Sequence, residues 1–140
     1  PAETPGAVAG QIRAGEHTDY GVFTLLMGEA APGGLEVKTR SGDWIPVGTR
    51  PDIFVINVGD LLMRWTNDIW VSNPHRVVNP PVGAELSEGR ISIAFFQQPN
   101  YDAIIECIPG CADSDNPARY APVRSGDYRD EKYEVAEVSG

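Results

Sequence analysis

A histidine and an aspartate stand one residue apart in His17-Thr18-Asp19, and both side-chain types bind metal ions. On an extended backbone, side chains at i and i+2 share a face, so this imidazole and this carboxylate are expected to point the same way. Two ligands placed like this span one edge of a metal's coordination sphere. A third ligand from elsewhere in the chain would complete a facial set and leave the opposite positions open.

If the third ligand is a histidine, it can only be His75, since the chain contains two histidines in all. Two imidazoles and one carboxylate on one face are the donor set of non-heme Fe(II) oxygenases. Further along, Arg90 and Ser92 are again two positions apart and can share a strand face. An inward arginine beside a hydroxyl is a clamp for a carboxylate. The spacing therefore permits a barrel to bring a metal site and an anion site to the same mouth.

The elements that must position these residues are short strands. The length of 140 residues predicts one compact domain, and 15 Gly and 12 Pro spread among β-branched and aromatic residues indicate strands joined by tight turns. We expect an all-β jelly-roll barrel, also called a double-stranded β-helix, with a short C-terminal helix or tail. Residues 1–16 are interpreted as a lead-in, 17–110 as the barrel and 111–140 as a C-terminal extension.

The predicted strands follow runs of apolar or alternating residues, and they cover residues 8–13, 20–27, 35–39, 44–47, 53–58, 75–79, 91–98 and 103–106. Residues 53–58 are nearly continuously apolar, so we expect them to be buried on both faces. Leu61 to Trp65 fits either a helical turn or a strand. Residues 80–89 are expected to form an exposed loop.

Charge and cysteine content restrict the partners. With 20 acidic and 11 basic residues the formal charge is -9, which opposes nucleic-acid binding and favours a small-molecule partner. No apolar run is long enough for a membrane span, and the start of the chain lacks a secretory pattern, so we expect a soluble, cytoplasmic protein. Cys107 and Cys111 are interpreted as reduced thiols, with a disulfide or a second metal site as alternatives. The oligomeric state stays open.

The order of these motifs resembles the 2-oxoglutarate and Fe(II)-dependent dioxygenases, in particular the isopenicillin N synthase-like branch. The resemblance rests on His17-Thr18-Asp19, His75 and Arg90-Ile91-Ser92. It continues through Gly33-Gly34-Leu35-Glu36-Val37, Trp44, Asn57-Val58-Gly59-Asp60, Thr66-Asn67, His75-Arg76-Val77 and Phe95-Phe96. It implies that His17, Asp19 and His75 bind Fe(II), and that Arg90 and Ser92 bind the distal carboxylate of the co-substrate 2-oxoglutarate.

The resemblance also implies a reaction and a substrate contact. Dioxygen and 2-oxoglutarate would be consumed while a small organic substrate is hydroxylated, desaturated or cyclised. Phe96 matches a family position that often faces the substrate, and strand alternation predicts that one of Phe95 and Phe96 faces inward. Arg13 and Glu16 are placed to line the mouth of the pocket.

One departure from the family leaves two alternatives open. Family members carry a long, largely helical N-terminal region and an Asn-x-Tyr motif upstream of the first ligands, and this sequence contains neither. We therefore expect a core fragment or an unusually short member. One alternative is a non-catalytic or truncated barrel whose vestigial metal site serves as a binding module. The other is an enzyme that uses the same ligands without 2-oxoglutarate.

Overall fold

The fold was analysed in a computed structural model, which describes residues 12–30, 34–79 and 91–139. Within these residues the chain forms nine strands and two helices. The strands are β1 (Ile12–His17), β2 (Phe23–Gly28), β3 (Leu35–Lys38), β4 (Trp44–Pro46), β5 (Val55–Val58), β6 (His75–Val78), β7 (Ser92–Gln97), β8 (Ile104–Ile105) and β9 (Val123–Arg124). The helices are α1 (Asp60–Trp65) and α2 (Ser125–Ser139). The all-β prediction with a C-terminal helix is confirmed.

The strands form three sheets in the described part of the chain. Their orders are β1-β6-β3-β4, β5-β2-β7 and β8-β9. The pairs β1–β6, β3–β6, β3–β4 and β8–β9 are antiparallel. In the two larger sheets, strands far apart in sequence lie side by side, as they do in double-sheet barrels.

The chain divides into two compact units, whose described residues come from within 1–18, 25–56 and 73–95 and from within 19–24, 57–72 and 96–140. The first unit contains the four-stranded sheet, in which the register pairs His17 with His75 and Val37 with His75. A tight turn joins β3 to β4, and Gly42 adopts a φ of 94° there, which glycine tolerates without strain. The prediction of a single domain stays a prediction.

The second unit has its own small core. Val22, Leu61 and Ile105 are buried there, and Leu61 and Ile105 are almost completely inaccessible. Helix α1 begins after Gly59, whose backbone N–H donates to the Val22 carbonyl at 2.8 Å. A Cβ at Gly59 would lie 2.3 Å from the carbonyl oxygen of Gly21, so this close approach requires glycine.

The prediction of burial on both faces at residues 53–58 is wrong. The strand there begins only at Val55, and Ile56 is 64% exposed. On β7, Phe95 and Phe96 are 61% and 56% exposed, and the expectation that one of them faces inward stays a prediction. An apolar run indicates burial only where another segment covers it, and no described residue covers these side chains completely.

Three further expectations have plain outcomes. Leu61 to Trp65 forms a helix, which decides between the two predicted alternatives. The loop predicted at residues 80–89 lies outside the described residues, as does most of the strand predicted at 8–13. Among the described helices, none combines the length and the apolar character that crossing a bilayer needs.

Candidate metal centre

The two histidines face each other across neighbouring strands. Antiparallel pairing of β1 with β6 places His17 opposite His75, and the centroids of their rings are 4.3 Å apart. The Nδ1 atom of His17 lies 2.7 Å from the carbonyl oxygen of Gly15, and that of His75 lies 3.2 Å from the carbonyl oxygen of Asn73. A carbonyl oxygen accepts only, so each Nδ1 must carry the proton. Each ring therefore presents Nε2 as its metal-binding atom.

Asp19 is a buried carboxylate, and two side chains donate hydrogen bonds to it. It is 8% exposed. Its Oδ2 atom accepts one hydrogen bond from the hydroxyl of Thr24 and another, 2.7 Å long, from the amide of Asn57. The backbone carbonyl of Asp19 accepts from the backbone N–H of Asp60 at 2.8 Å. These bonds compensate for removing the carboxylate from water, since a buried charge is retained only where polar partners surround it.

The three predicted ligands come together. One ligand atom each from His17, Asp19 and His75 can be chosen so that all three lie within 4.8 Å of one another. Asp19 follows His17 by two positions, and His17 is the strand partner of His75, so local chain geometry and strand register together produce the group. Two neutral imidazoles and one carboxylate are hard and borderline donors that suit Fe(II), and their number leaves half of an octahedral sphere open. The residues therefore fit the metal that the sequence predicts.

The other predicted site residues have different outcomes. Ser92 is the first residue of β7 and is exposed. Arg90 lies outside the described residues, so the carboxylate clamp stays a prediction. Phe96 is exposed, and its contact with substrate also stays a prediction. The Nε atom of Arg13 donates to the side-chain oxygen of Asn79, and Glu16 forms a 2.8 Å ion pair with Lys38.

Sequence reasoning missed Thr24 and Asn57 as partners of the predicted ligand Asp19. Two signals could have pointed to them. Thr24 is the one hydroxyl residue in the apolar run from Val22 to Met27, and a polar side chain in such a run indicates a specific hydrogen-bond partner. Asn57 belongs to the Asn57-Val58-Gly59-Asp60 motif, which carried part of the family resemblance without a chemical role.

The sequence profile of the 2OG-Fe(II) oxygenase superfamily matches residues 3–99. The chain belongs to this superfamily. The predicted family is thereby confirmed, and the isopenicillin N synthase-like branch is consistent with it. Fe(II) and 2-oxoglutarate, which the superfamily's name includes, agree with the cofactors predicted from the sequence.

Individual relatives agree with the family. The chain is 38% identical over 115 residues to homoarginine-6-hydroxylase 2-ODD-233 of Oryza sativa subsp. japonica. The matched region covers 81% of this chain and 34% of that protein. It is 38% identical over 109 residues to the 2-oxoglutarate-Fe(II) type oxidoreductase hxnY of Emericella nidulans, covering 78% of this chain and 30% of that protein. This family member thus spans about a third of the length of these curated relatives.

Solved structures show the same fold. The crystal structure of a full-length Neurospora crassa protein in complex with alpha-KG and thymine matches with a TM-score of 0.79 and 41% identity, over 95% of this chain and 39% of that one. The rice dioxygenase for auxin oxidation matches with a TM-score of 0.79 and 32% identity, over 91% of this chain and 42% of that one. The predicted jelly-roll fold is confirmed by these neighbours.

Proposed function

We propose that the chain carries the catalytic core of a 2-oxoglutarate- and Fe(II)-dependent oxygenase, with His17, Asp19 and His75 as the iron ligands. The observation that carries the proposal is the convergence of these three side chains, with ligand atoms within 4.8 Å, in a member of this superfamily. A lone His-x-Asp motif would be weak support, because such a pair occurs by chance in many proteins. The strand register that brings His75 to the same place makes the support specific.

Each ligand has a distinct task. His17 and His75 bind through Nε2, and their Nδ1 protons, held by backbone carbonyls, fix the orientation of both rings. Asp19 supplies a negative charge that two neutral imidazoles lack, and its burial strengthens that charge's attraction for a cation. Three protein ligands leave room for a chelating co-substrate and for dioxygen. Ferrous iron held by these residues would supply the chemistry by which dioxygen oxidatively decarboxylates 2-oxoglutarate to succinate and CO2, coupled to oxidation of a substrate C–H bond.

Arg90 and Ser92 complete the proposal at the co-substrate. The Arg-x-Ser spacing allows a guanidinium and a hydroxyl to bind one carboxylate together when the two residues share a strand face. Ser92 is the first residue of β7, whereas Arg90 lies outside the described residues, so the pairing rests on the Arg-x-Ser spacing. The substrate is proposed to be a small organic molecule, as are homoarginine, thymine and auxin, which the names and structure descriptions of similar proteins mention. Phe96 and Arg13 are the proposed substrate contacts.

A cytoplasmic location is also part of the proposal. Cys107 and Cys111, the chain's two cysteines, are both free thiols, and free thiols persist in reducing compartments. The same reducing conditions preserve ferrous iron. No nucleic-acid partner is proposed, in keeping with the net charge of -9.

The test is spectroscopic and needs no substrate. Fe(II) and then 2-oxoglutarate are added anaerobically to the purified protein, and a visible charge-transfer band from the chelated co-substrate is expected. Oxygen is then admitted, and succinate is measured with and without candidate substrates. Metal binding without the band or succinate would favour the vestigial binding module. A band that survives in Arg90→Ala at unchanged 2-oxoglutarate concentration would remove the clamp from the proposal.

A further inference from the structure

Two hydrogen-bond donors meet on a single oxygen of Asp19. The hydroxyl of Thr24, on β2, and the amide of Asn57, on β5, both donate to Oδ2. Strands β2 and β5 are neighbours in one sheet, so the sheet itself fixes the two donors relative to each other. Both of these donors therefore share one oxygen of the carboxylate.

The presence of two donors on Oδ2 limits how Asp19 can bind a metal. An ionised carboxylate has about four lone-pair sites, about two on each oxygen. Two donors on Oδ2 occupy both of its sites, whereas bidentate coordination needs one site from each oxygen. We propose that Thr24 and Asn57 are positioning residues that restrict Asp19 to single-oxygen coordination through Oδ1. The inference rests on the proposed function, whose open coordination positions a bidentate Asp19 would reduce.

Burial makes these donors hard to replace. Thr24 is 4% exposed, and Asn57 is half-buried. Water therefore has little access to take over the hydroxyl's hydrogen bond when Thr24 is changed. An outer-shell partner of a metal ligand orients that ligand, and losing such a partner weakens metal binding by about 10-fold to 100-fold.

The main chain around Asn57 reinforces the same restraint. The backbone N–H of Asp60 donates to the carbonyl of Asp19 at 2.8 Å, and that of Leu61 donates to the carbonyl of Gly21 at 3.0 Å. The short segment from Asn57 to Leu61 thus holds both the carboxylate and the backbone of the ligand residue. This gives the Asn-Val-Gly-Asp motif a physical role, since its first residue contacts the side chain and its last contacts the main chain.

The experiment compares metal affinity with folding stability. Co(II), which resists oxidation by air, replaces Fe(II) in titrations of the purified chain followed by calorimetry, and urea unfolding without metal is measured in parallel. The variants are Thr24→Val, which replaces the hydroxyl with a methyl group, Thr24→Ser, which retains the hydroxyl, and Asn57→Leu. Thr49→Val is the matched control, because Thr49 is equally buried and donates to a backbone carbonyl, that of Glu29, at 2.9 Å.

We expect Thr24→Val and Asn57→Leu to raise the Co(II) dissociation constant by about 10-fold to 100-fold. Thr24→Ser and Thr49→Val should stay close to wild type. In Thr24→Val saturated with Fe(II), 2-oxoglutarate should also bind more weakly, since a released carboxylate competes for its position. The two substitutions lie at separate positions, so a folding failure at one leaves the other to decide.

Two outcomes overturn different statements. If the wild-type chain binds neither Co(II) nor Fe(II), the proposed function fails and this inference fails with it. If the wild type binds while Thr24→Val and Asn57→Leu lose only unfolding free energy and keep the wild-type dissociation constant, the two residues are merely structural. The metal site would then stand without the positioning role.

Discussion

The rings of His17 and His75 lie 4.3 Å apart, centroid to centroid, on paired positions of β1 and β6. Both rings are held in the same way. The Nδ1–H group of each donates a hydrogen bond to the carbonyl of the residue two positions earlier, Gly15 or Asn73. The pair is therefore oriented by backbone carbonyls that lie two positions earlier in the chain, one in β1 and one just before β6. Strand pairing therefore positions the two imidazoles. The carboxylate of Asp19, by contrast, is held by hydrogen bonds from Thr24 and Asn57.

Replacing Asp19 with alanine should abolish tight metal binding while both histidines remain. We expect the dissociation constant for Co(II) to rise by more than about 100-fold, since losing a ligand exceeds the loss of an outer-shell partner. Calorimetric titration measures the change, and circular dichroism confirms that the variant is folded. Asp43→Ala, at an exposed aspartate in the β3–β4 turn, is the control and should match wild type. Wild-type affinity in Asp19→Ala would exclude Asp19 from the ligand set.

Replacing Arg90 with alanine should separate co-substrate binding from metal binding. A charge-assisted hydrogen bond contributes about 1.5–3 kcal/mol, so the 2-oxoglutarate dissociation constant should rise by about 10-fold to 100-fold. Metal affinity should not change. Arg50→Ala is the matched control, because Arg50 is exposed and forms a 3.5 Å surface ion pair with Asp52. If Arg90→Ala kept wild-type turnover and 2-oxoglutarate affinity, an oxygenase that works without 2-oxoglutarate would be favoured.

Two of the three ligands were accessible from the sequence because their spacing is local. The i and i+2 spacing of His17 and Asp19 determines that they share a face wherever the backbone is extended, and His75 was the single remaining histidine. Most strands were also accessible, since period-two patterns and turn residues mark them directly. The partners of Asp19 could not be predicted from the sequence, because Thr24 and Asn57 lie close together only when β2 and β5 are neighbours in a sheet.

The burial of side chains was the property that the sequence predicted least well. Ile56 and Phe95 belong to apolar runs, yet both are largely exposed. Hydrophobicity records what a side chain favours, whereas exposure depends on which other segment covers it. The role of Asn67 was likewise hidden, since its partners follow more than forty positions later.

Asn67 should be a main determinant of stability in the second unit. It is 2% exposed and has a positive φ of 52°, and its amide and carbonyl join it to a distant loop. The bonds run from its Nδ2 to the carbonyls of Cys111, Asn116 and Pro117 and from the backbone N–H of Arg119 to its Oδ1. Asn67→Ala should lower the free energy of unfolding by about 3 kcal/mol, measured by urea denaturation.

The control for Asn67 separates hydrogen bonding from backbone strain. Asn67→Gly relieves the positive φ but loses the same hydrogen bonds, so it should be destabilised somewhat less than Asn67→Ala. Co(II) affinity of the folded protein should be unchanged in both. Stability equal to wild type in Asn67→Ala would show that the loop contacts contribute little.

Adding a methyl group at Gly59 should be strongly destabilising, whereas the same change at Gly48 should be tolerated. A Cβ at Gly59 would lie 2.3 Å from the Gly21 carbonyl oxygen, and backbone on both sides resists movement. A Cβ at Gly48 meets nothing within 4 Å. We expect Gly59→Ala to lose about 3 kcal/mol of unfolding free energy, the upper end of the typical cost of overpacking. Similar thermal midpoints for both variants would contradict this close approach.

Tyr128 should make stability depend on pH in the alkaline range. Burial raises the pKa of Tyr128 above its ordinary value of 10.0, and the negative charge of Asp60, which accepts a 3.1 Å hydrogen bond from its hydroxyl, raises that pKa further. Below pH 10 the hydroxyl is protonated in both states, so its contribution is complete. As the pH rises above 10, the unfolded chain releases this proton while the folded chain retains it, and the free energy of unfolding falls.

Urea unfolding of wild type and Tyr128→Phe between pH 8 and about pH 11 measures the effect, and the stability difference between them should shrink or reverse as the pH rises. A constant difference across that range would show that Tyr128 titrates alike in both states.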